Sequence, residues 1–213
     1  MAGSAPHFDA AFLAQLDALL KWRRDVRRFS GQALPEGALR QLLALASLAP
    51  SVGLCEPWRF AVVEDAGRRA KVRASFERMN AQALQGHAGE RAKLYASLKL
   101  EGFEAPAQVA VFSDTETAKG SELGRASMPE MADYSVVAAI QMIWTVARAQ
   151  GLGLGWVSIL DPAEVAAALD VPAHWRLIAY LCIGYPADLH LEPELSRVGW
   201  EKRMPPEDFI IGR

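Results

Sequence analysis

Only two cysteines occur in 213 residues, Cys55 and Cys182, far apart in the chain. That excludes a disulfide framework and thiolate metal ligation, and it fits a reducing cytoplasm. The four histidines, His7, His87, His174 and His190, include no pair at helical spacing and none beside a cysteine, so metal catalysis has no ligand set. A Gly-x-Ser-x-Gly elbow is missing, and with it the hydrolase built on one. The most apolar stretch, residues 136–149, is broken by Gln141 and Arg148 and is too short to span a bilayer. Met1 to Ala14 shows no basic segment followed by an apolar one, so no secretory leader is expected. Neither sign of charge dominates: the formal net charge is −2, which gives no general pull toward nucleic acid or anionic membrane. Repeats and clean domain boundaries are absent too.

What is present reads as a single folded domain over residues 1–213: 51% of residues are hydrophobic and 23% charged. A helical stripe runs through Phe8, Phe12, Leu13, Leu16, Leu19 and Leu20. Pro35-Glu36 predicts the start of a second helix, and Ala49-Pro50-Ser51 a loop after it. Strands are expected at residues 58–63, 108–112, 154–159 and 177–183, and two helical pieces over 66–100. Residues 115–126 are polar and carry Gly120 and Gly124, as a loop or lid would, and the lid is drawn to about residue 130. Ser127-Met128-Pro129-Glu130 has capping-box spacing ahead of a long helix that stops at Gly151. That helix is apolar nearly all round, as expected of one buried by its own domain or by a partner subunit. Asp161 caps a short helix, and a tail of about 187–213 is rich in proline and charge. Long helices around a few scattered strands give an α+β domain.

The densest chemistry lies at Arg23-Arg24-Asp25-Val26-Arg27-Arg28-Phe29, with four guanidiniums in six positions. Arginine forks make paired, charge-assisted bonds to phosphate oxygens, so the run suits a compact anion. Asp25 repels such a ligand. It either balances charge on a solvated surface or serves a purpose other than anion binding. Gly151-Leu152-Gly153-Leu154-Gly155 has the wrong order and spacing for a dinucleotide loop. It reads as close backbone packing, or as a place where the chain lies against a flat ligand. Ser51 is a turn residue or a ligand-holding hydroxyl. Trp58 opens a strand as a core residue. Ser158 interrupts an apolar strand, where a hydroxyl, if buried, needs either a neighbouring carbonyl or a ligand.

Taken in order, these segments resemble the nitroreductase-like flavoproteins over nearly the whole chain. The resemblance rests on the early arginine run, on Ala49-Pro50-Ser51 leading into Pro57-Trp58-Arg59-Phe60, on the long helix ending in Gly151-Leu152-Gly153, and on Ile183-Gly184-Tyr185-Pro186. Within that superfamily the chain is most similar to the branch that destroys its flavin to make the lower ligand of cobalamin. Arg23-Arg24-Asp25-Val26-Arg27, Leu98-Lys99-Leu100-Glu101-Gly102, Ser127-Met128-Pro129-Glu130 and residues 155–162 carry that match. Asp25 stands where ordinary nitroreductases have serine. Cys55-Glu56 departs from the commoner Ser-Gln pair.

The resemblance implies a mixed central sheet surrounded by helices, and a homodimer with the long helix and two flavin sites at its interface. It implies reduced FMN and O2 as substrates, no metal, and 5,6-dimethylbenzimidazole and erythrose 4-phosphate as products; the FMNH2 comes either from a flavin reductase as partner or from free reduced flavin. It assigns the FMN phosphate to Arg23, with Arg24 and Arg197 as further contacts. Arg27 falls by the pyrimidine edge, with Asp25 and Val26 between the arginines. Pro50 and Ser51 fall along the ribityl chain and ring edge, and Trp58 and Leu100 are packing contacts. Ser158 and Ile159 fall near the reactive part of the ring. Asp25 and Ser158 are the expected catalytic pair, and residues 115–130 the lid. The alternatives are an FMN-dependent NAD(P)H reductase of nitroaromatics, quinones or corrinoid cobalt, and a non-enzymatic FMN-binding protein.

Overall fold

The computed structural model describes residues 4–85, 89 and 102–213. Leu100 and the second helical piece expected before it lie outside the described residues. In chain order the main elements are α1 (Ala10–Trp22), α2 (Ala38–Ala44), β1 (Trp58–Val62), α3 (Ala66–Gln85), β2 (Ala107–Asp114), α4 (Met131–Ala149), β3 (Gly153–Val157), α5 (Pro162–Leu169), β4 (Trp175–Gly184) and α6 (Glu194–Arg197).

The strands form one sheet in the order β1-β2-β4-β3, and all three pairings are antiparallel. Among the described residues, parallel geometry, which a mixed sheet requires, enters only at an isolated bridge between Asp25 and Leu154 on the β3 edge. Every residue of β2 is buried, which explains its unbroken apolar run. Alternation along it feeds two cores. Val109 and Val111 join Leu181, Ile183 and the α4 residues Val136, Ile140 and Ile143 on one face. Ala110 and Phe112 join Tyr180, Cys182 and the α3 residues Val72 and Phe76 on the other. The sheet is therefore the middle of three layers, with α4 and α2 on one side and α3 and α5 on the other.

Two helix starts differ from expectation. The second helix begins at Ala38 rather than at Pro35, because Gly37 takes a left-handed turn (φ 75°) into it. The capping box before α4 does not form: Glu130 occupies the cap position without a side-chain bond, and Ser127 Oγ donates instead to the Gly124 carbonyl at 3.4 Å. Local turns there claim the serine first. Other local signals hold. Asp161 Oδ1 accepts from the N–H groups of Ala163 and Glu164 and starts α5, and α4 ends at a left-handed Gly151 (φ 79°).

The glycines after α4 serve the protein's own backbone. Residues 25 and 26 lie along β3, with Val26 N–H donating to Leu154 O at 3.1 Å. A Cβ on Gly153 would meet Val26 Cγ2 at 2.6 Å, and one on Gly155 would run into the Val26 carbonyl oxygen. Close packing, the first of the two readings, thus accounts for this run, and it is what seats the arginine segment against the sheet.

Much apolar surface lacks cover. No residue of α1 is buried, so its stripe, including Phe12, Leu13, Leu16 and Leu20, faces outward. Tyr134 and Val137 on α4 are exposed, as are Phe209, Ile210 and Ile211 at the end of the tail.

Candidate active site

The arginine segment leaves α1 at Arg23 and runs between β3 and the tail. Asp25 sits at its centre, with Oδ1 accepting the Trp156 N–H at 3.0 Å and Oδ2 accepting Arg27 Nε at 3.2 Å. Its side chain keeps 38% of its surface accessible, yet the protein around it withdraws enough water to push its pKa above the ordinary carboxylate value. The Trp156 and Arg27 bonds oppose that rise without cancelling it. Arg27 is further tied to Glu194 Oε2 at 3.5 Å.

The remaining arginines divide by role. Arg28 is neutralised by Asp188 and Glu194 and clamps the tail onto the segment. Arg23 lies over the Trp144 ring, 4.7 Å from its centroid, and Trp144 Nε1 donates to the Arg24 carbonyl at 3.2 Å. Arg24 Nε donates to the Leu191 carbonyl. Burial lowers the pKa of both Arg23 and Arg24, and the positive charge of Arg203 lowers both further. Arg203 was not among the sequence candidates. Its only sequence signal is the basic pair Lys202-Arg203 in the tail. Arg197, which was a candidate, is exposed on α6 and lines the same cleft as Arg24, Asp25, Arg27 and Arg148.

Other expected residues lie elsewhere or differ in character. Val26 is buried, and its backbone is taken up by β3. Ser158 is not a buried hydroxyl in a strand: β3 ends at Val157, where its pairing with Tyr180 stops, and Ser158 is exposed just beyond it. It stands two residues past Trp156, the residue that holds Asp25. Ile159 packs on the core beneath α3 and α5.

Pro50, Ser51 and Trp58 belong to a second cluster. Ser51 Oγ accepts the Glu56 N–H at 3.2 Å, and Val52 N–H donates to Ser135 Oγ of α4 at 3.1 Å. Trp58 is half-buried against the α4 core. This loop sits between α4 and residues 117–126, whereas the arginine run sits between β3 and the tail, so the chain holds these expected residues as two separate groups.

The Nitroreductase family model matches residues 20–185. The chain belongs to the nitroreductase family. Among curated nitroreductase-family relatives, a 5,6-dimethylbenzimidazole synthase from Rhodospirillum rubrum is 54% identical over 95% of this chain and 96% of its own length. One from Rhodobacter capsulatus is 43% identical over 94% and 98%. A solved structure of oxidised iodotyrosine deiodinase bound to FMN and 3-iodo-L-tyrosine superposes with a TM-score of 0.71 at 27% identity, covering 93% of this chain and 97% of that one.

Proposed function

We propose that this protein fragments reduced FMN with O2 into 5,6-dimethylbenzimidazole and erythrose 4-phosphate, supplying the lower ligand of cobalamin. The observation that carries the proposal is the 54% identity, over 95% of the chain, to a synthase of that name. The residues fit the ligand on their own terms. Arg23, Arg24 and Arg203 raise one another's electrostatic energy, a repulsion that a dianionic phosphate placed among them would relieve.

Reduced FMN would supply both the electrons for O2 and the carbon skeleton of the products. Arg23, Arg24 and Arg203 hold the phosphate, with Arg197 at the rim of the cleft. Arg27 places positive charge by the pyrimidine edge while keeping Asp25 oriented. The carboxylate of Asp25 takes up a proton from the ribityl chain, and its raised pKa makes it a better base than a fully hydrated aspartate. Ser158, exposed at the end of β3, offers its hydroxyl to the reacting edge. Ser51 already accepts the Glu56 N–H, so its own proton is left to donate to the ligand. Pro50 and Trp58 pack alongside, and residues 115–130 exclude water.

The protein works as a homodimer in this reading. A second copy covers α1, Tyr134 and Val137 of α4, and the tail end, and it brings the Ser51 loop of one protomer to the arginine run of the other. Sedimentation should return a species of twice the 23.2 kDa chain mass, and a monomer would remove this part of the proposal. The unpaired Cys55 and Cys182 suit a cytoplasmic setting, with FMNH2 delivered by a flavin reductase.

The test is to add chemically reduced FMN to the protein under air and separate the products by chromatography. A benzimidazole peak with matching loss of FMN is the expected result. Sustained NADPH oxidation with an added acceptor and FMN conserved would point to a reductase instead.

A further inference from the structure

We propose that Glu56 is a positioning residue: its ion pair with Lys119 latches residues 117–126 over the Ser51 loop, and through the same residue fixes the direction of the Ser51 hydroxyl. The inference rests on the proposed function only for what Ser51 then touches. The geometry stands without it.

Three separate groups of Glu56 are engaged. Its N–H donates to Ser51 Oγ at 3.2 Å, its carbonyl accepts from Arg59 at 3.1 Å, and its carboxylate pairs with the Lys119 ammonium. It does this from a left-handed backbone (φ 42°), a conformation a glutamate holds only where its surroundings impose it. Leu54 in the same loop and Ser121 and Glu122 in the facing segment are left-handed as well.

The two loops interlock through glycines. A Cβ on Gly53 would meet the carbonyl oxygens of Gly120 and Leu123 at 2.9 Å, and one on Gly124 would meet Val52 Cγ2 at 2.7 Å. Cys55, fully buried, lies under Gly120. Below the loop, Ser135 of α4 holds Val52. At the base of the segment Asp114 N–H donates to Pro57 O at 2.8 Å, and Arg59 pairs with Asp114 Oδ2 at 2.6 Å. The Arg59–Asp114 end is the fixed one, with Asp114 buried in the sheet. The Glu56–Lys119 end is the releasable one, because Lys119 keeps 53% of its side-chain surface exposed and Glu56 28%, and such a pair is weak and screened by salt. Opening the segment breaks that pair first, and Glu56 then loses the restraint that keeps its N–H on Ser51.

The experiment compares wild type, Glu56→Gln, Lys119→Gln and the exchange Glu56→Lys with Lys119→Glu, all without flavin. A broad-specificity protease is added at low and high salt, and cuts within residues 115–126 are mapped by mass spectrometry. Wild type should be protected at low salt and cut about five-fold faster at high salt. Both single variants should be cut at the fast rate whatever the salt, and the exchange should restore low-salt protection. Singles that behave as wild type, or an exchange that restores nothing, overturn the latch. A second readout joins Glu56 to Ser51: with reduced FMN, Glu56→Gln should raise KM several-fold, and adding it to Ser51→Ala should cost nothing further. Additive effects would separate the two residues and sink the positioning role. Should wild type make no benzimidazole while the proteolysis pattern holds, the proposed function fails and the latch survives.

Discussion

Asp25→Asn is expected to cut benzimidazole formation from reduced FMN by about 10²- to 10⁴-fold, the range for removing a general base. The folded protein should at the same time be no less stable at neutral pH. Asparagine keeps an oxygen to accept the Trp156 N–H, so the backbone path along β3 is preserved. The charge is what is lost, and burial makes that charge unfavourable. The folded pKa lies above the ordinary 3.8, with burial as the largest cause, so folding disfavours the ionised form. Below the unfolded pKa both states are protonated and the penalty is absent. It grows as pH rises and is in full force above the folded pKa. The melting temperature of Asp25→Asn relative to wild type should therefore rise with pH through the acidic range and level off toward neutrality. Activity of wild type should fall on the acid side at a pH above that of a hydrated aspartate, where the base becomes protonated. Wild-type product yield from the variant would take Asp25 out of the chemistry. A stability difference independent of pH would take burial out of its pKa.

Features legible in the sequence were those whose cause is local. Asp161 caps α5 because its own backbone supplies the donors, and Gly151 ends α4 because a left-handed residue is needed there. β2 and β4 are readable as apolar runs because both faces of the central strands are buried. Ser158 was expected inside a strand that stops one residue before it, because the end of β3 is set by where β4 stops pairing with it, and register is not a local property. The glycines of β3 were visible, but their cause, the carbonyl and side chain of Val26, comes from another part of the chain. The polar segment with Gly120 and Gly124 was recognisable as a loop, while its docking on Gly53 and Cys55 was not. The arginine run stood out through composition alone. A further charge comes from the tail, where no motif marks Arg203, and only the fold carries that charge to Arg23 and Arg24.

Arg203 therefore gives the second large expected effect. Arg203→Ala should raise KM for reduced FMN by about 10- to 100-fold, the loss expected for one charge-assisted bond to phosphate. It should leave the much weaker use of reduced riboflavin nearly unchanged, since riboflavin has no phosphate to hold. Arg23→Ala should act in the same direction and also lose the stacking on Trp144. Arg197→Ala, exposed on the cleft rim, should do less. Inorganic phosphate gives a check that needs no turnover. Wild type should gain thermal stability as phosphate is added, because the anion offsets the Arg203 charge that, after burial, lowers the pKa of Arg23 and Arg24. In Arg203→Ala that gain should shrink, since one of the repelling charges is already gone. Arg203→Ala starts from less like-charge repulsion than wild type, so its melting temperature without phosphate should not drop. If the preference for FMN over riboflavin survived in Arg203→Ala, the phosphate would have to be held elsewhere along the cleft, with Arg197 and Arg148 the guanidiniums left to hold it.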